Sequence, residues 1–285
     1  MLKVLLWVVS KDKRYLDGAL KTLERQHDGI ELVGAAAGEE ISAVDSANVD
    51  VVIVIGAKEI GMSKITQAAR QLRLPEEKLL GDWIACIPGF TLGKYRRLQH
   101  SRLSIISMDC FGGLLSHTLA LPFRSPFANL RMERPDFLTF LSNPRAYLEK
   151  ELVFKEKYFH PVRKYYYPIF ALGDVSVRMV HYPNPEKAVT KWEQRKPRIN
   201  WYNLFVTTFT DDEKILEQFD ALPYGKKVCF VPFKSDLDSA WYINPKAVEG
   251  LKFWEIVHNF ARGIPFYYDP FDMLLYGKKT PLIDM

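Results

Sequence analysis

The sequence predicts an α/β protein: an N-terminal Rossmann-like domain with a parallel sheet, then a second, larger α/β domain with proline- and aromatic-rich loops. Three observations carry this expectation. Apolar runs of strand length alternate with stretches of helical spacing. Composition changes near residue 100: of 17 prolines only Pro75 and Pro88 precede it, and of the aromatic residues only Trp7, Tyr15, Trp83, Phe90 and Tyr95 do. A chain of 285 residues also exceeds the usual single-domain size. The division therefore falls into residues 1–100 and 101–285, with the boundary expected at 97 to 103.

The first part opens on KVLLWVV, a buried-strand run, followed by YLDGALKTLERQ with Leu16, Ala19, Leu20 and Leu23 on one helical face. IELVGAAA and VDVVIVIGA read as the next strands, and KITQAARQL as a helix that Pro75 ends. The turn after the first strand is SKDKR. It has no glycine to let backbone approach a pyrophosphate, which disfavours bound NAD. Gly56 and Gly61 flank AKEI after the third strand and read as loop glycines or as a weaker phosphate turn. In the second part LSIIS, DVSVRMV, NLFVTTF and KKVCFVPF are expected strands. FGGLLSHTLA, PDFLTFL, PEKAVTKWEQR, DEKILEQFDAL and AVEGLKFWEIVHNFA are expected helices.

A net charge of +5 without any block of like charges fits an anionic small-molecule substrate and argues against nucleic acid. Cys86, Cys110 and Cys229 are odd in number and widely spaced. Neither a disulfide framework nor a metal site is expected, and the cytoplasm is the simpler location. The N-terminal apolar run is short and turns charged at once, so it reads as a strand rather than a secretory signal. No apolar run approaches the roughly 20 residues that span a bilayer.

Chemistry concentrates in SIISMDCFGGLLSHT. The chain must turn from strand to helix over Met108 to Gly113, and Gly112 and Gly113 permit positive φ and close backbone approach. Asp109 is placed to cap the helix that begins at Phe111 or Gly112, where N–H groups favour an anion or a thiolate at Cys110. Cys110 is either a nucleophile or a packing residue. His117 lies too far along a straight helix to act on the thiol, and His181 is the better-placed base, after the strand DVSVRMV. His181 equally suits a hydrogen-bonded turn anchor.

Two further stretches carry candidate binding groups. LALPFRSPFANL is stiffened by two Pro-Phe pairs and holds Arg124, Ser125 and Asn129 among apolar residues, as a pocket wall or as a packed loop. In HYPNPEKAVTKWEQRKPRINWYN, Asn184 caps a helix that opens on Pro185 and ends at Pro197. Lys187, Lys191, Arg195 and Arg198 form its basic stripe, which either meets phosphate or faces solvent. Asn200 and Asn203 follow in the turn before the next strand and are candidates for sugar hydroxyls. Near the C-terminus, Asp269 or Asp272 is expected to cap a final helix.

The pieces IISMDCFGGLLSHTLALPFRSPFANL, DFLTFL and HYPNPEKAVTKWEQRKPRINWYNLFV, in order over most of residues 103–233, resemble a bacterial family of unknown function. Its members are often labelled exopolysaccharide-biosynthesis proteins. The family pattern has Asn before the cysteine where this chain has Asp109, and often Trp where it has Phe111. A carboxylate beside the thiol opposes its ionisation. The resemblance implies a setting in cell-surface carbohydrate assembly. The expected function is a cytoplasmic transferase that moves an acyl or glycosyl group from an anionic donor, an acyl-coenzyme A or a nucleotide sugar, to a carbohydrate acceptor. Asp109, Cys110, Gly112 and Gly113 would form the catalytic turn with His181 as base. Arg195 and Arg198 would hold donor phosphate, and Asn129, Asn200 and Asn203 the sugar. The alternative is a non-catalytic carbohydrate- or nucleotide-binding accessory protein.

Overall fold

A run such as VVIVI must be covered on both faces, and parallel strands with crossover connections supply that cover. The computed structural model describes residues 2–9, 30–44, 46 and 48–283. The expected helix YLDGALKTLERQ and the SKDKR turn lie outside the described residues. The chain divides into two compact units, Met1–Thr91 and Leu92–Met285, so the helix Leu92–His100 belongs to the second.

In the first unit, β1 (Leu2–Val8), β2 (Ile30–Ala37), β3 (Val51–Ile55) and β4 (Leu79–Gly81) form a parallel sheet in the order β2-β1-β3-β4. Every residue of β3 is buried. After β3 come α1 (Ala57–Ile60), α2 (Met62–Gln71) and α3 (Asp82–Ala85). Gly56 and Gly61 flank α1 at φ 73° and 86°, which only glycine adopts readily, and the Gly56 N–H donates to Asp82 Oδ2 at 3.1 Å. These are turn glycines.

The second unit begins with α4 (Leu92–His100) and β5 (Ser104–Ser107), followed by α5 (Phe111–Thr118). Its main sheet joins β5 to β9 (Leu204–Phe209), β10 (Lys227–Val231) and β11 (Ala240–Tyr242), all parallel, in the order β11-β10-β9-β5. Between β5 and β9 the chain inserts α6 (Arg134–Ser142), α7 (Pro144–Glu149) and an antiparallel sheet of β6 (Leu152–His160), β7 (Tyr165–Leu172) and β8 (Val175–Arg178). The helix α8 (Pro185–Arg195) then leads back toward β9, α9 (Glu213–Asp220) joins β9 to β10, and α10 (Phe253–Ala261) and α11 (Pro270–Tyr276) close the unit. Phe127, Phe140 and Trp192 pack in one core cluster. Phe111 of α5 meets Phe230 of β10 at 5.1 Å and Phe260 of α10 at 5.8 Å between ring centres.

Several expectations are corrected here. DVSVRMV forms a strand only at Val175–Arg178, and it pairs antiparallel in the inserted sheet rather than joining the parallel one. The helix expected over AVEGLKFWEIVHNFA begins only at Phe253: Gly250 has φ 78°, and the Lys252 N–H donates to Glu255 Oε2 at 2.9 Å to cap the helix there. The hairpin β6–β7 was not foreseen: in β6, Val153–Phe159 are all exposed and show no buried face, and in β7 the buried run carries Pro168, which argues against a strand. The capping expectations hold: Asn184 accepts from Lys187 N–H at 3.1 Å, and Asp269 from Phe271 and Asp272 N–H at 2.8 and 3.0 Å.

Candidate functional site

The turn from β5 to α5 is tied down by its own side chains. Ser107 Oγ donates to the Asp109 carbonyl at 2.7 Å and accepts from Gly112 N–H at 3.1 Å, while Asp109 Oδ1 accepts from Phe111 N–H at 3.0 Å. Gly112 and Gly113 lie inside α5 and not at positive φ, which corrects one reason expected for them. Close approach is the other reason, and it applies. A Cβ on Gly112 would come within 2.7 Å of Ile105 Cγ2 and Ser107 Oγ; one on Gly113 would sit 3.3 Å from Asn129 Oδ1. The N–H groups of Phe111 and Gly112 are engaged within the turn.

This turn presents Cys110, half-buried, beyond the C-terminal end of β5. Cys110 Sγ lies 3.2 Å from His181 Nε2 and 3.9 Å from the Leu130 carbonyl. His181 reaches it from the turn after β8, where Tyr182 N–H bonds the Met179 carbonyl at 2.9 Å and Arg195 Nη1 donates to the Tyr182 hydroxyl at 2.9 Å. The imidazole and the thiol thus meet although 71 residues separate them. Asp109 turns the other way: it is buried, and its Oδ2 lies 2.6 Å from His258 Nε2 on α10.

Electrostatics set the resting protonation. Burial, and then the Asp109 carboxylate, push the Cys110 thiol up to about 12, against the opposing pull of Arg163, Arg262 and Arg131. Burial holds His181 below its ordinary value, helped by Arg163, His258 and Arg262. The resting pair is therefore a neutral thiol beside a neutral imidazole, which leaves the imidazole able to take a proton.

The other expected binding residues sort into two places. Gly112, Gly113, Arg124 and Ser125 line one small cavity between α5 and the LPFRSPF loop, and Cys110 is not among its walls. Ser125 is buried and bonds the Ile105 carbonyl and Phe127 N–H, so its hydroxyl holds the loop. Asn129 adopts φ 66° beside Gly113, and Arg195 lies over the Phe123 ring at 5.2 Å. Asn200 and Asn203 are in the turn before β9, as expected, and this turn lies at the end of the sheet opposite the Cys110 turn. Asn203 accepts through its carbonyl from Ser104 N–H at the start of β5, roughly 10 Å of strand away from Ser107. Their carboxamides serve Tyr202 N–H, the Ser101 carbonyl and Lys226. Arg198 is exposed in the short turn Lys196–Arg198 just before them.

Sequence reasoning missed His258, Arg131, Arg163 and Arg262. Each comes from a different stretch than the motif, and His258 lies 149 residues from Asp109. The only local signal was that His258 and Arg262 are four residues apart and share a helix face. Among the described residues, no group of three or more His, Cys, Asp and Glu side chains is placed to hold a metal ion. No helix among them is long and apolar enough to cross a membrane.

Fold and site together define an α/β protein of two units, with a Cys–His pair at a strand end of the second. Residues 86–276 match the model of a family described as a domain of unknown function (DUF1919), and the chain belongs to that family. It is similar to an uncharacterized protein of Haemophilus influenzae, 35% identical over 153 residues, which are 52% of this chain and 71% of that relative.

Proposed function

We propose that the chain is a cytoplasmic acyltransferase of cell-surface carbohydrate assembly, with Cys110 as nucleophile and His181 as base. The observation that carries the reading is the 3.2 Å approach of Cys110 Sγ to His181 Nε2 beyond the end of a parallel strand. The donor is a thioester such as an acyl-coenzyme A and the acceptor a sugar hydroxyl. His181 Nε2 takes the thiol proton as Sγ bonds the acyl carbon; the donor's C–S bond breaks and its thiol leaves with that proton. The sugar hydroxyl then attacks the acyl-cysteine, its proton passing to His181 and back to Sγ as the S–C bond breaks. The carbohydrate setting rests on the resemblance of the DCFGG and PNPEKAVTKWEQR stretches to proteins labelled for exopolysaccharide biosynthesis.

Incubation with acetyl-coenzyme A should add one acetyl group to the Cys110 peptide, read by mass spectrometry. Cys110→Ala should abolish the adduct, and His181→Ala should slow its formation by about 100-fold or more, the usual contribution of a positioned base. Absence of any adduct or acyl transfer would remove the reading. A second reading, a non-catalytic accessory protein that binds carbohydrate or nucleotide, is favoured by the thiol's elevation to about 12. Stabilisation by a nucleotide sugar in a thermal-shift screen, without turnover, would support it.

A further inference from the structure

The β6–β7 hairpin closes through the four-residue turn Pro161–Lys164, and large apolar side chains gather at that end without cover. Val162, in the turn, is 83% exposed; Tyr166 and Phe159 beside the turn are 57% and 44% exposed. Phe159 and Tyr166 are opposite each other in the antiparallel register, with ring centres 4.9 Å apart, so they form one aromatic pair on one face. Residues 153–166 also carry Lys155, Lys157, Arg163 and Lys164 against a single carboxylate, Glu156, and all five are exposed.

The turn brings little unpaired backbone to its apolar tip. His160 accepts twice, through its carbonyl from Lys164 N–H at 2.8 Å and through Nδ1 from Arg163 N–H at 3.2 Å, and Pro161 has no N–H. Three of the four turn residues therefore present no free donor to a medium without water, where an unpaired N–H is costly. All four are exposed, so the tip offers no concave site for a small ligand. Pairing with another chain along β6, the edge of its sheet, is opposed by the bulge between Phe154 and Glu156 and by the consecutive charges Lys155, Glu156 and Lys157. Aromatic rings and an apolar tip, rimmed by an excess of cations, instead match the boundary of an anionic bilayer, where rings sit at headgroup level and cations meet phosphates.

We propose that the β6–β7 hairpin docks the protein on an anionic membrane surface, with Val162 entering the headgroup–acyl boundary beside Phe159 and Tyr166 while Arg163 and Lys164 meet lipid phosphates. The same hairpin supports the His181 turn: beyond β8 the chain still follows β7, and Met179 N–H, two residues before His181, donates to the Pro168 carbonyl at 3.0 Å. Roughly 10 Å of strand separates Pro168 from the start of β7 at Tyr165, so docking holds the Cys–His pair close to the bilayer. This goes beyond the transferase reading and does not depend on it, because vesicle binding is read without turnover.

The test is co-sedimentation of the full chain with phosphatidylcholine vesicles, pure or with about 30% phosphatidylglycerol. Binding to the anionic vesicles should exceed binding to the neutral ones by about tenfold or more and fall as salt is added. Arg163→Gln/Lys164→Gln should weaken it by about tenfold or more, at about fivefold per cation near an anionic surface. Val162→Asp should weaken it too, and Val162→Trp should strengthen it, because tryptophan favours the boundary that a carboxylate avoids. The strengthened variant reads the same point even if a weakened one misfolds. Absence of vesicle binding, equal binding to neutral and anionic vesicles, or full retention in Val162→Asp would overturn the assignment. A dimer in sedimentation velocity that Val162→Asp dissolves, without vesicle binding, would overturn it in favour of a second copy of this chain. Vesicle binding without any acyl transfer would leave this surface standing and count against the transferase.

Discussion

Replacing Asp109 by asparagine separates the two causes that raise the Cys110 thiol. Burial stays, while the neighbouring negative charge, the second cause, is removed. Asparagine keeps a side-chain oxygen to accept from Phe111 N–H, so the cap survives. Two unit charges roughly 6 Å apart interact by about 3 kcal/mol at an effective dielectric of about 20, or about two pKa units. Solvent reaching the half-buried thiol lowers this to about one unit. The thiolate is the reactive form, so at any pH well below the thiol's midpoint the alkylation rate follows the thiolate fraction. Asp109→Asn should therefore react with iodoacetamide about tenfold faster at Cys110 at pH 8, with the whole rate–pH curve displaced to lower pH. The rate is read by peptide mass spectrometry with exposed Cys86 as the internal reference. Arg262→Gln should displace the curve the opposite way, because that cation favours the thiolate. An unchanged or slower rate in a folded Asp109→Asn protein would refute this account of the site's electrostatics.

Other outcomes follow from the turn and the core beneath it. Gly112→Ala gains about 1 kcal/mol of helix propensity but forces a methyl to within 2.7 Å of β5, an overpacking that costs about 1–3 kcal/mol. It should lower the unfolding midpoint, whereas Gly113→Ala, whose nearest neighbour is 3.3 Å away, should be neutral or stabilising in the same calorimetric scan. Ser107→Ala leaves the buried Gly112 N–H without its partner and should cost about 1–3 kcal/mol in denaturant unfolding. Lys226 is lowered to about 8 by burial, so between that pH and its ordinary value the unfolded chain binds more protons than the folded one. Stability should rise with pH across this window, and Lys226→Met should flatten that rise.

The sequence carried the elements whose chemistry is local. The helix Pro185–Arg195 was legible to the residue because its Asn-Pro start and its Pro197 stop are both written within the segment. The strand Ser104–Ser107 and the capping carboxylate of Asp109 were legible for the same reason. His181 was named as the base for a reason the structure corrects: it follows an antiparallel strand, and it reaches Cys110 through a turn held by Tyr182 and Arg195. The strand β6 was illegible because a strand exposed along nearly its whole length has no buried period to read, and β7 because Pro168 interrupts its apolar run. His258 and the three arginines were illegible for a different reason. Their roles arise only when elements far apart in the chain meet, and no single stretch encodes that meeting.

The carboxylate of Asp109 has a consequence for the order in which the protein comes into being. One oxygen is satisfied by the helix that follows it immediately; the other waits for His258, 149 residues later. At a synthesis rate of about 5–20 residues per second, that interval lasts about 7–30 s. Throughout it, the nascent strand–turn–helix carries a carboxylate with no imidazole to meet. The turn is thus made early and completed late, so a chain released before α10 would hold the cysteine without its finished surroundings.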